Sequence, residues 1–237
     1  MAVPWIPLES NPELFTSWSS KLGLDAERFA FHDVYGLDAE LLAMVPQPCS
    51  AVLLLFPISA GYEQRRRAAD EEWAARGDDE GLLWFKQNIG NACGTIALLH
   101  ALANSPARSA IAANSPLAQL FASASALSDP AERAALLQSS GALASAHADV
   151  AVQGQTAAPQ ATDDVDTHFV AFVRAPNGEL VELDGRRRGP MYRGKRVERQ
   201  EDLLSVVGQW IQEHFIDQDK DSLNFSIIAL AKADGSE

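Results

Sequence analysis

The segment Thr167–Gly185, THFVAFVRAPNGELVELDG, limits the possible folds more than any other stretch of the chain. Two runs rich in β-branched and aromatic residues flank Pro176-Asn177-Gly178, and that turn chemistry between apolar runs specifies an antiparallel hairpin. Ser50–Ile58 (SAVLLLFPI) and Asn224–Lys232 (NFSIIALAK) are also of strand length, and their continuous apolarity marks strands buried inside the molecule. No apolar run approaches the roughly 20 residues a membrane helix needs, and MAVPWIPLESNPEL lacks the basic start of a leader and is broken by prolines. A cytoplasmic or nuclear protein without a membrane partner is expected. With 237 residues and 47% hydrophobic content, the chain suits a single domain over residues 1–237 with one sizeable core.

Helix signals surround these strands. Asn11 can cap a helix whose first position is Pro12 and whose stop is Gly23, placing Leu14, Phe15, Trp18 and Leu22 on one face. A short helix is expected over DAELLAMV, and SDPAERAALL starts another behind Asp129. EDLLSVVGQWIQEHF has the apolar spacing of an amphipathic helix. The charged stretch Tyr62–Asp79 is expected as a solvated helix leading into a mobile loop. From Ser139 to Asp166 no apolar period is sustained, so a long irregular loop is expected, of a length that is usually functional or disordered.

A net charge of −13 argues against a nucleic-acid partner and suits a basic one, although a soluble acidic surface needs no partner at all. Two cysteines are too few for a disulfide framework or a four-thiolate zinc site, and no histidine pair has ligand spacing, so neither metal nor cofactor is expected. Cys49, beside Pro48 at the mouth of a strand, reads as a packed thiol.

Cys93 differs. In WFKQNIGNACGTIALLHALAN it opens an apolar helix, where free amides and the positive end of the helix dipole lower a thiol pKa and can receive an oxyanion. Alone it fits either a packed thiol or a nucleophile. A nucleophile needs a base and a group that aims the base. His168 near the start of the first hairpin strand and Asp184 just past the second can meet at one end of the paired strands. Gln87, six residues before Cys93, can add an amide donor to the same oxyanion. His32, His100, His147 and His214 show no comparable partners in the sequence.

QNIGNACGT, DTHFVAFV and ELVELDGRRRGP resemble the active-site segments of the ubiquitin C-terminal hydrolases, and WIPLESNPELF, FHDVYGLDAELLAMVP, AVLLLFPI, VQGQTAAP and NFSIIALA extend the similarity in order along nearly the whole chain. The resemblance implies Cys93 as nucleophile, His168 as general base and acid, Asp184 as its orienter and Gln87 as oxyanion donor. It implies an α+β fold with a papain-like cysteine-peptidase core, a central mostly antiparallel sheet between helical layers, and a knotted backbone with an active-site crossover loop in the Ser139–Asp166 segment. Three segments are implied to touch ubiquitin: Pro7, Leu8, Glu9, Ser10, Asn11 and Pro12; Gln153, Gly154, Gln155 and Thr156; and Leu223, Asn224 and Phe225. The enzyme so implied is a monomeric thiol hydrolase of the ubiquitin pathway that cleaves after the terminal glycine of ubiquitin, releasing small adducts or short peptides. The related modifier NEDD8 is an alternative substrate, because Val152, Gln153 and Ala157 depart from the polar or acidic residues common at these places. A ubiquitin-binding module without catalysis and a papain-like enzyme with an unrelated substrate are the competing readings. An acidic cleft would steer the arginine-bearing ubiquitin tail in a salt-dependent way.

Overall fold

The computed structural model describes residues 4–73, 81–155, 165–219 and 222–233. Six antiparallel strands form one sheet in the order β1-β6-β2-β3-β4-β5, with β1 Phe29–Asp33, β2 Ala51–Pro57, β3 Thr167–Arg174, β4 Glu179–Leu183, β5 Met191–Arg196 and β6 Ser226–Lys232. The expected hairpin is β3–β4, with Ala171 opposite Leu183. β2, β3 and β6 are buried on both faces, as their continuous apolarity requires: Leu53, Ala171 and Ile228 enter one core, and Leu54, Val170 and Ile227 the other.

Helices cover both faces. On the first face lie α1 Pro12–Lys21, α4 Cys93–Ala103, α5 Pro116–Ser125, α6 Pro130–Gln138 and α7 Gly141–Ala151. On the second, α8 Leu203–Ile211 and Tyr62 of α3 Ala60–Glu72 close the core beneath a short α2 Ala39–Leu42. The amphipathic helix expected at Glu201–Phe215 is α8, preceded by a tight turn at Gln200–Asp202 and continued by a wide π-type turn at Gln212–Ile216. Full burial of a Leu or Phe side chain contributes about 1.5–3 kcal/mol, so the two layers on β2 and β3 fix the position of everything these strands carry.

Capping sets the helix starts. The Asn11 carboxamide oxygen accepts from the amides of Glu13 and Leu14, and Asp129 accepts from Ala131, each followed by proline at the first helical position.

The expected irregular loop over Ser139–Asp166 is corrected in its first half. Ser140 caps α7, and Leu143, Ala146, His147 and Val150 make a buried face. Alanine and small polar residues carry little hydrophobic contrast, so the period that defines this helix is weak in sequence; contact with the rest of the core selects it. Of the remainder, 152–155 and 165–166 are irregular and 156–164 lie outside the described residues, as do 74–79 at the end of the charged stretch Tyr62–Asp79. The helix expected to be solvated from Tyr62 is α3, but Tyr62 and Asp70 are buried, because arginines pair with its acids and its first turn packs under the sheet.

Candidate active site

Cys93 is the first residue of α4, and Ala92 before it supplies no side-chain cap. No side chain therefore covers the amides of the first turn, and the Gly94 amide is among the groups acting on the half-buried thiol. The preceding turn is held from outside: the Trp5 amide donates to the Gly90 carbonyl at 2.9 Å.

His168 is the second residue of β3, opposite Phe56 of β2, and its ring meets Phe56 edge-on at 5.9 Å between centroids. Asp184 follows β4 directly. The hairpin register brings the two together at its end, where His168 Nε2 lies 2.7 Å from Asp184 Oδ1 with both side chains buried. Because a carboxylate oxygen only accepts, Nε2 carries the proton and Nδ1 is left for Cys93. Asp184 Oδ1 also accepts from the Arg186 amide at 2.8 Å, and Tyr62 Oη lies 3.4 Å from Oδ2. The Trp84 indole N–H donates to the Asp184 carbonyl at 2.9 Å. Four hydrogen bonds and the Phe56 ring contact thus fix this hairpin end.

The electrostatics follow from that geometry. Burial opposes a charged imidazole, but Asp184, by charge and hydrogen bond, and then Cys93 outweigh it and raise His168 to about 10. Burial likewise opposes a thiolate at Cys93, yet hydrogen bonding and charge from His168, with the Phe169 and Gly94 amides, bring its pKa below the ordinary 9.0. Asp184 is lowered to about 2, again against burial and chiefly by His168. The three shifts agree in direction: the site favours a thiolate beside an imidazolium. Cys49 is the opposite case, a fully buried thiol pushed up to about 12 by desolvation, with its Sγ donating to the Ala51 carbonyl.

Gln87 lies against the same turn. Its backbone amide donates to the Gly185 carbonyl at 2.9 Å, and its side-chain amide donates to the Ile89 carbonyl at 3.2 Å, while Oε1 is buried without a partner among the described residues. Gly185 has to be glycine here: a Cβ would come within 2.9 Å of Gln87 Cβ and Ile96 Cγ2.

The three segments expected to meet a partner converge as well. Glu9 Oε1 accepts from the Gln155 amide at 3.2 Å, and the Ser10 and Ser226 hydroxyls are 2.8 Å apart. Leu8 and Asn11 are buried, one packed on Gly94 and the other capping α1, whereas Pro7, Glu9, Ser10 and Pro12 keep part of their surface and Leu223 is 91% exposed. Asn224 is exposed and Phe225 partly so, as are Gln153, Gly154 and Gln155; Thr156 lies outside the described residues.

Sequence reasoning missed the support around the site. It found no partner for His147, whose ring nitrogens lie 2.8 Å from Thr95 Oγ1 and 2.7 Å from the Ile6 carbonyl. His100, fully buried, accepts from the Phe85 amide at 2.9 Å and is pushed down to about 4 by burial. Long-range partners of this kind leave no local signal beyond a histidine on an apolar helix face. Among the described residues no group of three or more acidic, histidine or cysteine side chains is arranged to hold a metal.

The model of the family "Ubiquitin carboxyl-terminal hydrolase, family 1" matches residues 5–216. Ubiquitin carboxyl-terminal hydrolase 3 of Arabidopsis thaliana is 39% identical over 96% of this chain and 94% of its own. Ubiquitin carboxyl-terminal hydrolase isozyme L1 of Homo sapiens is 36% identical over 96% of this chain and 98% of its own. The crystal structure of the Trichinella spiralis UCH37 catalytic domain bound to ubiquitin vinyl methyl ester superposes with a TM-score of 0.72 over 96% of this chain and 95% of that one, at 21% identity, which speaks to the fold. From a match that takes in the helix of Cys93, the hairpin of His168 and Asp184 and both layers around them, it follows that the chain belongs to the ubiquitin carboxyl-terminal hydrolases of family 1.

Proposed function

We propose that this protein is a deubiquitinating cysteine peptidase, a thiol-dependent hydrolase of the bond at the C-terminal glycine of ubiquitin, and that Cys93, His168, Asp184 and Gln87 carry the reaction. The observation that carries the reading is the buried 2.7 Å bond between His168 and Asp184 at the hairpin end, which leaves the other imidazole nitrogen free of Asp184 beside a helix-start thiol whose pKa His168 helps to lower.

The chemistry follows from these positions. The Cys93 thiolate adds to the glycine carbonyl carbon, and the oxygen becomes an oxyanion facing the free amides at the start of α4 and the Gln87 side chain. The Gln87 NH2 has two N–H donors, so one can stay on the Ile89 carbonyl while the other is offered to the oxyanion. His168 holds the proton the thiol has given up and passes it from Nδ1 to the leaving amine as the C–N bond breaks, leaving a thioester on Cys93. Water, deprotonated by His168, then attacks the thioester and releases the carboxylate. Asp184 keeps Nε2 protonated throughout and stabilises the imidazolium.

Ubiquitin is the substrate supported by the family and by the convergence of the arm, α7 and β6 segments through Glu9–Gln155 and Ser10–Ser226. NEDD8 is the second reading, favoured by the exposed Val152 where a polar contact would be expected. A single catalytic domain acting as a monomer in the cytosol or nucleus fits a mechanism that needs a reduced thiol.

The test is a ubiquitin probe with a C-terminal electrophile, run beside the NEDD8 equivalent. Covalent labelling at Cys93 by the ubiquitin probe is expected. Association without labelling would leave a binding module, no association would point to an unrelated peptidase, and preferential labelling by the NEDD8 probe would select the second reading.

A further inference from the structure

His147 sits on α7, 2% exposed and outside the reacting groups, yet both of its ring nitrogens are engaged. The Ile6 carbonyl, 2.7 Å from Nε2, can only accept, so Nε2 carries the proton; Nδ1 therefore accepts from the Thr95 hydroxyl at 2.8 Å. Burial agrees with this neutral form, holding the ring down to about 4. Trp5 lies tilted on the ring at 4.3 Å between centroids.

Its two hydrogen-bond partners and its own helix belong to three different pieces of the site. Thr95, 1% exposed, is two residues past Cys93 in the first turn of α4. Ile6 precedes the arm residues whose Leu8 packs on Gly94, with Leu8 Cβ 3.1 Å from where a Gly94 Cβ would stand. α7 runs directly into Gln153–Gln155, where Glu9 of the same arm takes the Gln155 amide. A single neutral imidazole is thus the point at which the helix carrying the thiol, the N-terminal arm and the entry to the crossover segment are joined. A buried polar node with all its groups satisfied has one arrangement, and losing a member leaves unpaired groups that favour other ones.

We propose that His147 is a positioning residue for the hydrolysis: through Thr95 and the Ile6 carbonyl it fixes the arm and α7 against the first turn of α4, so that a substrate tail held by the arm lies in register with Cys93. This rests on the peptidase reading above. It does not concern the triad itself, because His147 reaches none of its members directly.

The experiment uses the full chain with a C-terminal fluorogenic ubiquitin adduct and, in parallel, alkylation of Cys93 by iodoacetamide. His147→Phe keeps the ring shape and removes both hydrogen bonds; Thr95→Val removes one, and Thr95→Ser restores it. Expected are a fall in kcat/KM of about tenfold or more for His147→Phe, mostly in kcat, a smaller fall for Thr95→Val, and Thr95→Ser within twofold of the parent. Combining His147→Phe with Thr95→Val should add little to His147→Phe alone, because the two act through one bond. Iodoacetamide reactivity of Cys93 should stay within about twofold throughout, since His168 and Asp184 are untouched. Were His147→Phe unable to fold, the Thr95→Val and Thr95→Ser pair carries the test. The proposal is overturned by kcat/KM within twofold of the parent in folded His147→Phe, by a loss confined to KM, by alkylation falling in step with turnover, or by Thr95→Ser failing to rescue. An unmodified protein that does not turn over the adduct would instead remove the peptidase reading and leave the node as packing.

Discussion

Replacing Asp184 with Asn isolates the charge of the buried carboxylate. Asn can keep an oxygen toward His168 and the Arg186 amide, which now share Oδ1, and turn its NH2 to the Tyr62 hydroxyl, now 3.4 Å from Oδ2. Shape and aim are thereby kept, and the negative charge is lost. His168 stands at about 10 against an ordinary 6.5, with Asp184 the largest of the causes that overcome burial. That difference corresponds to roughly 5 kcal/mol net favouring the imidazolium, what is left after burial has opposed the pull of Asp184 and Cys93. Asp184 is the first of the causes that raise His168, and a loss of about 3 kcal/mol with its charge would correspond to roughly two hundredfold less of the thiolate–imidazolium form. The assay has two arms. kcat/KM on a fluorogenic ubiquitin adduct at neutral pH should fall by two to three orders of magnitude, and the midpoint of Cys93 alkylation against pH should climb toward or past the ordinary thiol value of 9.0. A fall of less than about fivefold with an unshifted alkylation profile, in a variant as stable as the parent, would show that the Asp184 charge does not sustain the pair.

The remaining expectations each need one measurement. Iodoacetamide at pH 6–7 should modify Cys93 well before Cys49, whose thiol is pushed up to about 12, and mass spectrometry of the alkylated peptides reads the order directly. Cys93→Ser should abolish turnover while ubiquitin affinity by calorimetry stays within about tenfold, or 1.4 kcal/mol; His168→Ala should lose more rate than Asp184→Asn, and wild-type-like turnover in either would remove that residue from the mechanism. Stability should fall as pH drops from about 6.5 toward 4: His100 and His147, both held to about 4, bind protons more weakly folded than unfolded, while the contribution of the raised His168 is complete below 6.5 and cannot offset them. The loss approaches about 3 kcal/mol per histidine and is read from urea midpoints across that range; a flat profile would contradict it. Lengthening the chain with glycine and serine just after Gly154 should raise cleavage of folded diubiquitin relative to a small adduct if the following segment restricts the leaving group, and an unchanged ratio would assign that segment another role.

Sequence alone determined the features whose causes are local. Continuous apolarity marks β2 and β6, turn chemistry at Pro176-Asn177-Gly178 sets the β3–β4 hairpin, and Asn11, Asp129 and their prolines start helices where the structure has them. Cys93 was conspicuous because a helix start perturbs a thiol through its own backbone, and the hairpin spacing already placed His168 and Asp184 at a common end. β1 and β5 were not read as strands: Phe29–Asp33 depends on β6 at the far end of the chain, and Met191–Arg196, its second half exposed at the sheet edge beside β4, carries no apolar alternation. α7 escaped detection for a related reason, since its small residues form an apolar face only where a core waits to receive them. Tertiary structure alone decided that Tyr62 would stand behind Asp184, that Glu9 would take the Gln155 amide, and that His147 would join Thr95 to Ile6 across 52 and 141 residues. Each is a directional bond between groups whose separation is set by the packing of both helical layers on one sheet, and hydrogen-bond strength falls steeply with distance and angle, so residue spacing along the chain carries no trace of them.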